Sequence, residues 1–306
     1  MRVIFKRTLQ ETLKLSFLII MLAAGVLGGL FLGANSIYDS AWIPPFEYQL
    51  NSSLIMQHMV AFFLVCGAAL MIIISSAGSG LIAGEVHEGT FRILVSKPNS
   101  RMSILAGKIL GMMIGTLILL VMSLSAMFLA EFIYAKPDSE IVNSLLSYAP
   151  GYLLYGAIVM LFFSSLATLL SCIVKKKVIA FLPMLLIMII VLVLPMVLRI
   201  ILMLRGSIST TLSYVDLNYH FGSLFKWCMG FCGGINGTSE QLELPTILMN
   251  IYKQASIDRD LSRTYEWGSI TMDNKTVPVF ILLCVYGALT VINYLASFTI
   301  IRRKDV

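Results

Sequence analysis

Three short stretches of this chain carry side chains whose types and spacing could do chemistry. His87-Glu88 opens the H-E-x-x-H arrangement, in which two histidines one helical turn apart hold zinc and the glutamate acts as base. The fifth position is Phe91, so the second ligand is missing. Gly107-Lys108 ends like a phosphate-binding loop, yet Ile109 stands where a Ser or Thr would hold Mg, and no glycine-rich run precedes it. The chain thus lacks an ATPase motif and is expected not to be an enzyme, with no cofactor or metal of its own. Cys228 and Cys232 lie four apart among Gly230, Gly233 and Gly234. They can pair in an oxidising compartment, given an irregular turn there, since i, i+4 side chains of a regular helix seldom reach disulfide geometry. A metal site with His220 would need a further ligand.

The most organised polar stretch runs from residue 84 to 108. Glu85, Glu88 and Arg92 fall at i, i+3 and i+7 on one helical face, and Glu88 can pair with Arg92 one turn on. Phe91, Leu94 and Val95 offer an adjoining apolar surface. Pro98 stops that helix, and Asn99 or Ser100 can cap the next. A short helix, a turn and a second helix are expected.

The elements that must position this stretch are apolar. Of 306 residues, 58% are apolar and only 12% charged, with a mean hydropathy of +0.90. A soluble domain is nearer a quarter charged. The apolar residues come in blocks of about 20 or more, enough to cross a hydrocarbon core of roughly 30 Å. Soluble enzymes, secreted disulfide scaffolds and disordered chains are excluded, and the net charge of +6 gives no reason to expect nucleic acid. Six spans are read, at 15–32, 53–82, 104–133, 148–174, 178–198 and 277–301. The second and third exceed what a bilayer needs, so they tilt or continue into water.

The segments between spans alternate in charge. Arg2, Lys6, Arg7 and Lys14, then Arg92, Lys97, Arg101 and Lys108, then Lys175 to Lys177, and finally Arg302, Arg303 and Lys304 share one side. By the positive-inside rule that side, with both termini, is cytoplasmic. Residues 1–14 read as an amphipathic helix, with Phe5, Leu9 and Leu13 on one face and Arg7, Glu11 and Lys14 opposite, or as an ordinary basic flank. Residues 205–276 are extracytoplasmic. Their apolar runs 221–231 and 244–252 are too short to span, and suit re-entrant helices, interfacial helices or a small outer cap. Gly78-Ser79-Gly80 reads as close packing. Glu131 and Arg199 at outer span ends are explained by snorkelling, and His58 sits near the outer edge of its span, so a proton or sodium relay is not expected.

The 84–108 stretch resembles the cytoplasmic coupling region of ABC-2-type transporter permeases. The family pattern of Glu, Gly-Thr, a Leu-rich turn, Pro, Ser-Arg and Gly-Lys falls on Glu85, Gly89-Thr90, Leu94, Pro98, Ser100-Arg101 and Gly107-Lys108. The motif covers some 25 residues, whereas six spans, inner termini and a long outer segment before the last span match nearly the whole chain. The resemblance implies an all-α, six-span permease fold in the plasma membrane. It implies a second permease subunit, as homodimer or heterodimer, and two copies of an ABC ATP-binding subunit, which would bind the ATP and Mg. The 1–14 helix would be the elbow helix. Glu85, Glu88 and Arg92 would make polar contacts in the ATPase groove, Phe91 and Leu94 would meet its apolar floor, and Arg101 and Lys108 would fix the hinge to the membrane face. The outer segment is larger than in polysaccharide exporters, and the fused ATPase domain of the eukaryotic drug pumps is not expected. The competing reading is a non-transporting scaffold or sensor whose outer segment binds a partner. It leaves the organised inner stretch unexplained.

Overall fold

A computed structural model describes residues 2–35, 45–91, 96, 100–204, 214–237, 241, 245, 248–249, 264–267, 270–273 and 277–303. A short helix α1 (Arg2–Thr12) leads into the first span, α2 (Leu15–Ala34). The second is a rod of 42 residues, Phe46–His87. It comprises α3 (Phe46–Val60), a π-helical run Ala61–Ala69, α4 (Leu70–Gly80) and, after a break, α5 (Ala83–His87). The third is α6 (Arg101–Ala135). At 1.5 Å per residue its 35 residues run about 50 Å, well beyond a hydrocarbon core, as its block length suggested. The fourth joins α7 (Ser139–Leu146) to α8 (Ala149–Ile173), and the fifth joins α9 (Lys177–Leu192) to α10 (Leu194–Leu204). After α11 (Leu217–Gly230) comes the one described exception to an all-α chain. Strands β1 (Thr264–Trp267) and β2 (Ile270–Asp273) pair antiparallel, from Thr264 opposite Asp273 to Trp267 opposite Ile270. The sixth span is α12 (Val279–Arg303). Among the described residues, six helices are long and apolar enough to cross a membrane.

The local signals act where they stand. Ser100 accepts the Ser103 N–H at 3.1 Å and caps α6, and Asp216 does the same for α11 through Tyr219. Between spans, lipid offers no hydrophobic drive for association, so small residues and hydrogen bonds do the work. A Cβ at Gly25 or Gly29 of α2 would overlap the carbonyl oxygens of Ser123 or Met127 in α6, and Ser123 Oγ donates to the Met21 carbonyl at 2.7 Å. Gly111 and Gly115 of α6 receive α1 in the same way. The buried stripe of α1 is Thr8 and Thr12, which lie against these glycines, while Phe5, Leu9 and Leu13 are only half-buried. The amphipathic pattern pointed to the other stripe. Threonine wins because two glycines let the helix axes approach.

The sixth span docks on the fourth through Asn293 Nδ2 to Ser165 Oγ at 3.2 Å and the Ser164–Tyr294 hydroxyl pair at 2.7 Å. The 221–231 run, for which a re-entrant helix, an interfacial helix and an outer cap were all open, is largely α11. It buries Phe221, Leu224, Phe225 and Cys228 against α8 and the π-helical run. Phe225 meets the rings of Phe62 and Tyr155 at 5.4 and 5.0 Å.

Candidate functional site

The site is built on a helix break. Helix α4 ends at Gly80, Ile82 leaves helical geometry at φ −121°, and α5 restarts at Ala83. A break of this kind deprives the next N–H groups of their i−4 carbonyls. Here the N–H groups of Ile82 and Ala83 both donate to Ser171 Oγ of α8, at 2.9 and 3.0 Å, and that hydroxyl donates to the Ser79 carbonyl at 3.0 Å. One serine thereby uses its donor and both its lone pairs. The Leu81 carbonyl is taken by Lys108 Nζ of α6 at 2.7 Å, and the same ammonium pairs with Glu85 Oε1 at 2.6 Å. Glu85 is 8% exposed and Lys108 is 4% exposed. Beneath them Phe91 is wholly buried with Leu81, Ile82, Leu105, Ile109, Met112, Cys172 and Ile301. The break is thus tied to the third, fourth and sixth spans at once. Gly78 packs on Ala167 of α8, so the Gly78-Ser79-Gly80 run does serve close packing.

This geometry corrects two assignments. Glu85 and Phe91 were expected to face a partner, one as a polar contact and the other as part of an apolar surface. Both turn inward. A single exposed face through 85, 88 and 92 presumed one uninterrupted helix. Helix α5 has only five residues, and Lys108 decides which way its first turn points. A buried carboxylate that keeps its charge is costly unless it is paired in this way. What remains on the surface is His87, Glu88 and Gly89. Gly89 holds φ +72°, a left-handed backbone that glycine adopts without strain. Its own N–H reaches the Val86 carbonyl, and Thr90 Oγ1 donates to the Glu85 carbonyl at 3.4 Å. Arg101 Nη1 reaches the Arg302 carbonyl at 3.4 Å, from the third span to the last. Arg92, Leu94 and Pro98 lie outside the described residues.

A cleft of about 210 Å³ opens beside the break. Helix α1, the start of α2, the α4–α5 corner, Lys108 and Lys177 enclose it. Arg7 and Glu11 on its rim form an exposed pair at 2.9 Å, of the sort that adds little stability.

A second polar constellation lies near the other end of the bundle, about 35 Å from Lys108 along α6 at 1.5 Å per residue. Gln57 Nε2 donates to Glu131 Oε2 at 3.1 Å, and the Tyr152 hydroxyl donates to Gln57 Oε1 at 3.0 Å. His58 Nδ1 lies 2.6 Å from that hydroxyl. Because the tyrosine proton is committed to Gln57, the pattern assigns the His58 proton to Nδ1. Snorkelling does not describe Glu131, which is 3% exposed, and His58 is buried as well. It sits 5.0 Å from the Tyr148 ring and 5.8 Å from Phe225. The bundle therefore holds a directed hydrogen-bond chain from histidine to carboxylate, where the spacing of charges along the spans suggested none.

Cys228 and Cys232 are free thiols. Cys228 lies in the core on α11, and Cys232 follows one turn later in half-buried surroundings. That i, i+4 relation is the spacing that disfavours a bridge. Burial, then the neighbouring Cys232, pushes the Cys228 thiol up to about 12. His220 instead meets the Tyr286 hydroxyl at 2.9 Å, and no group of three metal-ligating side chains occurs among the described residues.

Neither Ser171 nor the Gln57–Tyr152 link stood out in the sequence. A serine in an apolar helix and a tyrosine near a span end are commonplace, and nothing local marks their partners. The pattern that defines the ABC-2 family transporter proteins matches residues 49–305 of the chain. No curated protein matches it.

Proposed function

Because the chain belongs to the ABC-2 family of transporter proteins, we propose that it is the permease subunit of an ATP-driven exporter. It works with a second permease subunit and with two separate ATP-binding subunits, which hold the ATP and Mg. The single observation that carries this reading is the tie at the α4–α5 break. The exposed corner His87–Glu88–Gly89 is joined through Ser171, the Glu85–Lys108 pair and Phe91 to α8, α6 and α12.

A corner so tied cannot move alone. When the ATP-binding subunits close on one another and displace it, the spans follow as a body, because packed elements shift between discrete arrangements rather than deforming continuously. The pathway then opens alternately to either side at the permease–permease interface. The concentration of Lys and Arg at this end supports a cytoplasmic corner, with both termini inside the plasma membrane. Glu88 makes the polar contact with the ATP-binding subunit, and the buried Glu85–Lys108 pair carries the load inward.

The test is co-purification with a candidate ATP-binding subunit from the same source, followed by hydrolysis measured across peptides, lipids and drugs. Glu88→Lys is expected to weaken the complex or to uncouple hydrolysis from export. Glu140→Lys, exposed on α7 at the opposite end, leaves both unchanged. Full complex formation and full transport in Glu88→Lys would remove the coupling role and favour the scaffold reading.

A further inference from the structure

The cleft beside α1 is lined by charges of both signs. Arg7, Lys14, Lys108 and Lys177 line it together with Glu11, Glu85 and Glu88. Among the described residues the ion pairs are Arg7–Glu11 and Lys108–Glu85, so Lys14, Lys177 and Glu88 make no direct ion pair, although Lys177 and Glu88 are near enough to attract one another. Lys14 lies over the Phe17 ring at 4.5 Å. Glu85 lines the same cleft, and its Oε2, buried, lacks a hydrogen-bond donor among the described residues. Buried acceptors are normally satisfied, so this one points to a donor brought from outside. The cleft is smaller than the pockets that hold drug-sized ligands, which are roughly 300–1,000 Å³.

Its place in the fold narrows the ligand further. Lys14 immediately precedes Leu15, and Lys177 immediately precedes Val178, so both amines sit where a span meets the membrane surface. From those points Leu15 and Ile19 on α2, and Val178 and Leu182 on α9, run on as exposed apolar side chains. A ligand with an anion at the lysines and acyl chains along these helices would cover both.

We propose that the cleft binds the headgroup of a phospholipid bearing a primary ammonium. The phosphate lies against Lys14, Lys177 and Arg7, and the ammonium donates to Glu85 Oε2 and Glu88. A choline headgroup has no N–H to give that oxygen, and a glycerol headgroup brings no positive charge to Glu85 and Glu88. Binding requires only the cleft and the bilayer, and it stands whether or not the corner couples to an ATPase.

The experiment uses the full-length purified chain, stripped of lipid in detergent. Phosphatidylethanolamine, phosphatidylcholine, phosphatidylglycerol and free O-phosphoethanolamine are titrated, with bound lipid counted by native mass spectrometry and thermal stability followed in parallel. Phosphatidylethanolamine is expected to bind about tenfold tighter than phosphatidylcholine, the fold-change of one charge-assisted hydrogen bond. Lys14→Ala with Lys177→Ala should weaken phosphatidylethanolamine, and Glu88→Gln should erase its preference over phosphatidylcholine. All three positions are exposed, so the variants keep the unliganded melting temperature. Equal binding of phosphatidylethanolamine and phosphatidylcholine would overturn the proposal. So would phosphatidylglycerol binding best with no response to Glu88→Gln, which describes a plain basic patch. Saturation by O-phosphoethanolamine at lipid-like concentrations would overturn the membrane source.

Discussion

Replacing Lys108 with methionine removes the central fastening of the α4–α5 break at little cost in volume. In the native protein its ammonium lies 2.6 Å from Glu85 Oε1 and 2.7 Å from the Leu81 carbonyl, with both side chains almost inaccessible. Without it a buried carboxylate loses its ion-pair partner among the described residues, which typically costs about 3–5 kcal/mol. At about 2–4 °C per kcal/mol, a loss near the middle of that range lowers the midpoint of thermal unfolding by roughly 10 °C. Adding Glu85→Leu removes the stranded charge. An apolar pair of similar size is often neutral in place of a buried ion pair, so the double variant should recover most of the loss. The Leu81 carbonyl, still without its donor, holds back about 1 kcal/mol. The double-mutant cycle should return an interaction energy of at least about 2 kcal/mol. The assay is thermal unfolding of the four purified proteins in one detergent, read as survival of the monodisperse peak on size exclusion. Lys108→Met within about 2 °C of the wild type, or a double variant that merely adds the two single losses, would refute the buried-pair argument.

Other perturbations separate the remaining claims. Glu131→Gln keeps an acceptor for Gln57 Nε2 and should cost under about 1 kcal/mol, whereas Glu131→Leu strands that donor and should cost about 1–3 kcal/mol; equal melting temperatures would dissolve the network. Gly29→Val drives a side chain into the Met127 carbonyl and should sharply lower yield and stability, while Gly84→Ala, with nothing within 4 Å of the new Cβ, should be neutral. Gly89→Ala should cost about 1–2 kcal/mol from backbone alone, since the space is open and only the left-handed φ resists it. Cys228, with its thiol near 12, should be only about one part in ten thousand thiolate at pH 8. N-ethylmaleimide should therefore modify Cys232 well before Cys228, and comparable rates would contradict the burial of Cys228.

Features that follow from a residue's own preference or its near neighbours were legible before any fold was known. Apolar blocks long enough to replace water with lipid make six helices. Ser100 caps α6 because its hydroxyl reaches an N–H three residues away, and Gly78 packs where a small residue permits contact. The family resemblance was also legible, because its motif is a short run of types in order. Direction, by contrast, came from packing. The periodicity of α1 marks Phe5, Leu9 and Leu13 as its inner face, yet Gly111 and Gly115 of α6 give Thr8 and Thr12 the closer approach. Glu85 looked like a surface group until a lysine 23 residues further on claimed it. Ser171 and Tyr152 became hinge pin and network bridge only because the fold brought distant chain against them. A polar side chain inside a bundle takes its role from the partner that offsets its desolvation, and that partner is fixed by packing, not by spacing along the chain.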